Sequence, residues 1–213
     1  MKYFAFVLLS VSAILFSSCS GDNNPVNSTT GDANQYMPTT TGTTWTYNTP
    51  NGLMVETITK DTTIIGNVYR KHDVTFSAIP GRVYFNALRN SGNTCYGIVD
   101  DNGVLKEIVN LKDAVVGESW TYSISGVQNG TPYVANYKAK IGARDLTQSV
   151  GSSSYSNVIR VDITIDIVSN GVTYANAGTK NIFYAKGVGL IQATETTGTN
   201  TIVAQQLISY SIK

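Results

Sequence analysis

The chain predicts an all-β fold of antiparallel sheets joined by hairpins, either an internally duplicated sandwich or an open barrel. Three observations carry that expectation. Four Asn-Gly pairs punctuate it at Asn51-Gly52, Asn102-Gly103, Asn129-Gly130 and Asn170-Gly171, and Asn-Gly suits the positive φ of two-residue hairpin turns. The runs between them alternate with period two. A phrase with tryptophan occurs twice, as Gly42-Thr43-Thr44-Trp45-Thr46-Tyr47 and as Gly117-Glu118-Ser119-Trp120-Thr121-Tyr122, and these are the only two tryptophans.

The first residues form an export signal, 1–18. Lys2 precedes an apolar run from Tyr3 to Phe16, too short for a stop-transfer helix. Ser17-Ser18-Cys19 resembles the lipobox of bacterial lipoproteins, with Leu15 one place earlier than usual. The resemblance implies that Cys19 carries acyl chains of the palmitate type as the mature N-terminus, which anchors the protein without spanning the bilayer. The expected location is the bacterial cell envelope, at the outer membrane. Residues 19–35 are rich in Asn, Ser, Thr, Gly and Asp and cannot bury enough surface to fold. They read as a tether of about 20 to 25 Å mean reach.

Residues 36–213 are long enough for one β domain with a core, or for two related halves, 36–112 and 113–213. In Arg160 to Ile167, Val161, Ile163, Ile165 and Ile167 face one way and Arg160, Asp162, Thr164 and Asp166 the other. Tyr133 to Ile141 alternates likewise, so both are strands with one wet face. Further strands are expected at Leu53 to Lys60, Val68 to Phe76, Arg82 to Leu88, Thr94 to Val99, Val104 to Val109, Thr173 to Ala185, Leu190 to Thr196 and Thr201 to Ile212. No window of helical length keeps an i, i+3, i+4 pattern; Val109 to Val116 comes nearest and runs into Gly117. The order of phrases after Trp45 (VYRKHDVTF, then RVYFNALRNSG) is echoed after Trp120 (VIRVDITID, then NIFYAKGVGL), which suggests duplication with loop insertions.

At these residues the chain resembles uncharacterised secreted and lipoprotein domains of the Bacteroidetes type, with VG-x-x-W-x-Y near the start and again in the middle, and Y-A-x-GVG-L near the end. The last appears here as Tyr184-Ala185-Lys186-Gly187-Val188-Gly189-Leu190. Thr41 replaces the valine in the first copy. The resemblance implies a β-rich antiparallel domain and no activity. Gly42, Trp45, Tyr47, Gly117, Trp120, Tyr122, Tyr184, Gly187 and Gly189 are thus expected as building elements rather than a site, with both tryptophans in the core.

Nothing in the sequence assembles a catalytic group. His72, the single histidine, reads as a solvated strand residue between Lys71 and Asp73, and Cys95 as a buried structural thiol. Both are expected to be dispensable. No Gly-x-Ser-x-Gly elbow is present. One histidine and one thiol make no zinc site. Asp100-Asp101-Asn102-Gly103 lacks the spacing of a calcium loop. Asp162 and Asp166 lie about 13 Å apart along a strand, too far for glycoside chemistry. The mature chain balances 14 Lys and Arg against 14 Asp and Glu once Lys2 is removed, which argues against nucleic acid. The expectation is therefore a protein that is not an enzyme, with no cofactor and no metal. It is anchored to the membrane through its N-terminal lipid and acts as a docking or binding module for another envelope protein. The alternative is a carrier or binder of a small glycan or lipid in a cavity of the β domain.

Overall fold

A computed structural model describes residues 36–213; the signal peptide, Cys19 and the tether lie outside the described residues. Twelve strands run β1 Thr44–Thr49, β2 Gly52–Ile64, β3 Asn67–Phe76, β4 Val83–Ser91, β5 Thr94–Asp101, β6 Val104–Lys112, β7 Ser119–Gln128, β8 Thr131–Val150, β9 Ser153–Ser169, β10 Val172–Ala185, β11 Gly189–Thr197 and β12 Asn200–Ser211. Every predicted strand is present. The Val109 to Val116 segment ends β6 and continues as a loop, not as a helix.

All pairings are antiparallel, and the strands form one sheet in the order β6-β5-β4-β3-β2-β1-β12-β11-β10-β9-β8-β7. The sheet curls into a nearly closed barrel, so of the two architectures expected the open barrel is the one found. The Asn-Gly pairs supply much of this topology. At Asn102-Gly103, Asn129-Gly130 and Asn170-Gly171 both residues have positive φ, as the type I′ turn requires. At the fourth pair only Gly52 does. All four pairs lie at the same end of the barrel. The N-terminal strap, Tyr36 to Thr43, lies at the other.

No ladder joins β6 to β7, so side chains close the barrel there. Trp120 Nε1 donates to the Val109 carbonyl at 2.8 Å, and Lys106 Nζ to the Ser123 carbonyl at 2.8 Å. The Ser125 amide donates to Asp101 Oδ1 at 2.5 Å, and Lys112 pairs with Glu118 at 2.8 Å. Arg144 holds the β6–β7 connection through the Ala114 carbonyl and Asp113. Edge strands left bare are aggregation hazards, and these contacts occupy the edge groups that they reach.

The inner face is read from directly opposed residues. Tyr47 faces Met54, which faces Phe76; Ile58 faces His72, which faces Asn86. On the other wall Ile141 faces Val161 and then Ile182. Ile141, Ile159, Val161, Ile165 and Ile167 are almost wholly buried there. The register of β8 against β9 slips three times between Ile141 and Gln148. The far end of that hairpin then covers the outer side of β11: Gln148 Nε2 donates to Gln192 Oε1 at 3.1 Å, and Val150 packs with Val158, Ala185 and Ile191. This gives β9 and β10 burial on both faces at that end.

Across the outer surface of β3, β4 and β6, Arg89 grips Glu107 with both Nε and Nη2, at 2.6 and 2.8 Å. The Tyr69 hydroxyl donates to the same carboxylate. The Arg89 guanidinium, then the phenol bond, hold Glu107 below the usual carboxylate range against the opposing effect of burial.

Ile65 begins the β2–β3 turn with φ of 44°, which is unfavourable for a β-branched residue. Ile65→Asn is expected to raise the unfolding free energy by about 1 kcal/mol in urea titration. Asp101, held below its usual pKa mainly by the Ser125 amide, binds fewer protons folded than unfolded. Its contribution is therefore present above about pH 4 and is lost as pH falls through its lower folded value. Asp101→Asn should lower the thermal midpoint at pH 6, with the gap to the parent narrowing as pH falls below about 4.

Candidate functional site

The two tryptophan phrases do matching structural work. Gly42, with φ of 86°, donates its amide to the Ile58 carbonyl, and Ile58 returns a bond to Thr43. Gly117, with φ of 93°, donates to Ile141, which returns a bond to Glu118. Trp45 Nε1 donates to the Val188 carbonyl at 2.6 Å and Trp120 Nε1 to Val109. Trp45 is 2% exposed and Trp120 9%. The acceptors differ in place, one in the β10–β11 turn and one on β6.

Tyr47 donates its hydroxyl to the Leu190 carbonyl at 3.1 Å. Tyr122 stacks on Tyr137, with ring centroids 4.6 Å apart. Burial pushes the phenols of Tyr47, Tyr122 and Tyr184 up, so all three stay neutral. Gly187 makes the β10–β11 turn with φ of 76°. A Cβ on Gly189, which has φ of 107°, would stand 3.3 Å from Trp45 Nε1. Glycine there lets the Tyr184-Ala185-Lys186-Gly187-Val188-Gly189-Leu190 turn sit against the first tryptophan.

That meeting of motifs walls a chamber of about 110 Å³ inside the barrel. Trp45, Tyr47, Tyr184, Leu88, Leu190 and Met37 supply its apolar lining, and Glu56, His72, Asn86, Asn110 and Gln205 its polar lining. Strands from both halves of the chain contribute. The strap borders it at the end where β1 begins: Tyr36 is buried, Met37 lines the chamber, and the Met37 carbonyl accepts from Asn90 Nδ2 at 2.8 Å.

Here the structure corrects the expectation for His72. It is 1% exposed, faces the interior and lies parallel to the Trp45 ring with centroids 5.8 Å apart. The sequence held the signal: His72 is in phase with Val74 and Phe76, both buried, while Lys71 and Asp73 pair with each other on the outer face. His72 Nδ1 lies 2.8 Å from Glu56 Oε1. Its Nε2 is buried with no hydrogen-bond partner among the described residues. Leaving such an atom bare costs about 1 to 3 kcal/mol. Glu56, Asn86, Asn110 and Gln205 were not singled out by the sequence; Glu56 alternates with Met54 and Ile58, and that phase was the available sign.

Cys95 is buried, and desolvation pushes its thiol up to about 12. Asp100 Oδ1 accepts from the Gly103 amide at 2.5 Å, an ordinary turn bond. Asp162 binds Arg160 two residues away, and Asp166 binds Lys138 and the Asn176 amide. No group of three His, Cys, Asp or Glu side chains able to hold a metal occurs among the described residues.

No family model matches the chain, and no curated protein does. Two solved structures are similar in shape. One is a candidate exported protein with a YmcC-like fold from Bacteroides fragilis NCTC 9343, at 10% identity and a TM-score of 0.46, covering 81% of this chain and 96% of that one. The other is a candidate lipoprotein from Parabacteroides distasonis ATCC 8503, at 11% identity and a TM-score of 0.48, covering 84% of this chain and all of that one. At TM-scores below 0.5 neither likeness carries an argument about function.

Trp45→Ala and Trp120→Ala are each expected to cost about 3 to 5 kcal/mol in denaturant unfolding, the range for a large buried aromatic. The Cys95 thiol should react with an aromatic disulfide reagent only at the rate of unfolding.

Proposed function

We propose that the chain is a lipid-anchored bacterial envelope protein that binds a small molecule inside its barrel and does not turn it over. The observation that carries this reading is the walled chamber with a buried histidine nitrogen left unpaired. A few convergent polar groups in an apolar enclosure are the usual make-up of a ligand site. The expected carrier of a glycan or lipid is narrowed by size. A chamber of about 110 Å³ is well under the roughly 300 Å³ at which drug-sized sites begin, so neither an acyl chain nor an oligosaccharide fits it as it stands.

The anchor part rests on the sequence: the apolar run before Ser17-Ser18-Cys19 supports lipidation of Cys19 and residence at the outer membrane. The strap begins at Tyr36, directly after the tether, so the Asn-Gly end would face away from the bilayer. The matched bonds of the Trp45 and Trp120 phrases support a duplicated origin of the halves 36–112 and 113–213. The docking reading draws on the anchor, which raises the effective concentration of envelope neighbours. The exposed apolar side chains, Leu53, Val55, Val83, Val104 and Val116 among them, are the surface such docking would use.

Native mass spectrometry of the protein taken from its own membranes should show a small bound species that is lost in a variant with the chamber filled, Asn110→Phe. A parent protein that carries nothing and shows no thermal shift against a panel of small amines, acids and polyols would remove the binding reading. Cys19→Ala should abolish fatty-acid labelling and release the protein from membranes.

A further inference from the structure

The chamber has a chemical bias. Two hydrogen-bond donors of its wall are already spent on backbone carbonyls, Trp45 Nε1–H on Val188 and the Tyr47 hydroxyl on Leu190. The Asn86 amide oxygen is taken by the Ala87 amide. His72 Nδ1 lies 2.8 Å from Glu56 Oε1, and in the neutral tautomer that donates Nδ1–H to this oxygen the lone pair of the unpartnered Nε2 is left as an acceptor. No Lys or Arg lines the chamber, and its one acid is Glu56.

An anion placed here would meet the Glu56 carboxyl and find no Lys or Arg among the lining residues. A neutral diol could bond to the amides but brings no positive charge to the Glu56 carboxyl. A cation meets the carboxylate, the imidazole lone pair and the π-systems of Trp45, Tyr47 and Tyr184, a combination of aromatic rings and one acid suited to ammonium groups. The unpaired Nε2 favours a ligand that still has N–H to give. The volume, about three to four waters' worth, admits only a few heavy atoms.

We propose that the chamber binds a small primary ammonium ion, between methylammonium and ethanolamine in size, with its N–H groups on Glu56 and His72 Nε2. This rests on the binding reading above and names its ligand class. The amine could be free or the headgroup of a phospholipid. The chamber has no cation for a phosphate, which favours the free amine.

The test titrates the purified full-length protein in detergent at constant ionic strength with ethanolamine, ethylene glycol, acetate and phosphoethanolamine, followed by calorimetry and tryptophan fluorescence. Ethanolamine is expected to bind and to perturb Trp45, and the other three to bind at least tenfold more weakly. Glu56→Gln should weaken ethanolamine tenfold or more. Asn86→Leu, which narrows the chamber without touching the acid, should weaken it too, so that the result survives if either variant fails to fold. Ethylene glycol binding as well as ethanolamine would overturn the ammonium assignment and leave the binding reading standing. Binding of phosphoethanolamine alone would overturn the free-amine form. Binding of none of the four would overturn the assignment, and so would ethanolamine binding that neither folded variant disturbs.

Discussion

Closing twelve antiparallel strands without a final ladder is the constraint on which the rest of this structure depends. A meander in which each strand pairs with its sequence neighbour, and β1 with β12, leaves β6 and β7 as edges. Trp120, Lys106, Asp101 and Lys112 cross that gap and bond to main-chain or charged groups on the far side. The second tryptophan phrase therefore sits at the open junction, and the first sits on β1, at the junction that is laddered. Trp45 also reaches past β12 to the β10–β11 turn, where its Nε1 donates to the Val188 carbonyl.

The number of strands also decides what fills the interior. Eight strands make a barrel just narrow enough for side chains to fill, and twelve enclose more than aliphatic residues alone can occupy. Large rings do part of the filling: Trp45, Tyr47, Tyr84, Trp120, Tyr137 and Tyr184 are all buried. The strap does another part, with Tyr36 and Met37 drawn into the end where β1 begins. The chamber is what remains between them. Its position follows from the fold, whereas its polarity follows from the residues set there.

Local chemistry was legible in the sequence and long-range placement was not. Asn-Gly turns and period-two runs such as Arg160 to Ile167 depend on neighbours within a few residues, and they located the strands. The double burial at Val158 and Ile159, or at Tyr184 and Ala185, comes from a hairpin that folds over a distant part of the sheet, which no local pattern displays. His72 is the instructive failure. It reads as a solvated strand residue, but in a strand alternate residues, here Val74 and Phe76, share its side, and both are buried. Glu56 was passed over for the same reason, and the pair of them is the center of the candidate site.

A β-barrel of this composition has no structural need for a carboxylate and an imidazole in its interior. Apolar residues of similar volume in place of a buried pair are often neutral or stabilising, and Ile58 and Val74 beside them show that this wall accepts aliphatic side chains. The Glu56–His72 contact satisfies one nitrogen and leaves the other bare. A pair retained only for packing would leave no such remainder. The unpaired Nε2 and the lack of any lining Lys or Arg are separate features, and a ligand that brings N–H and positive charge answers both.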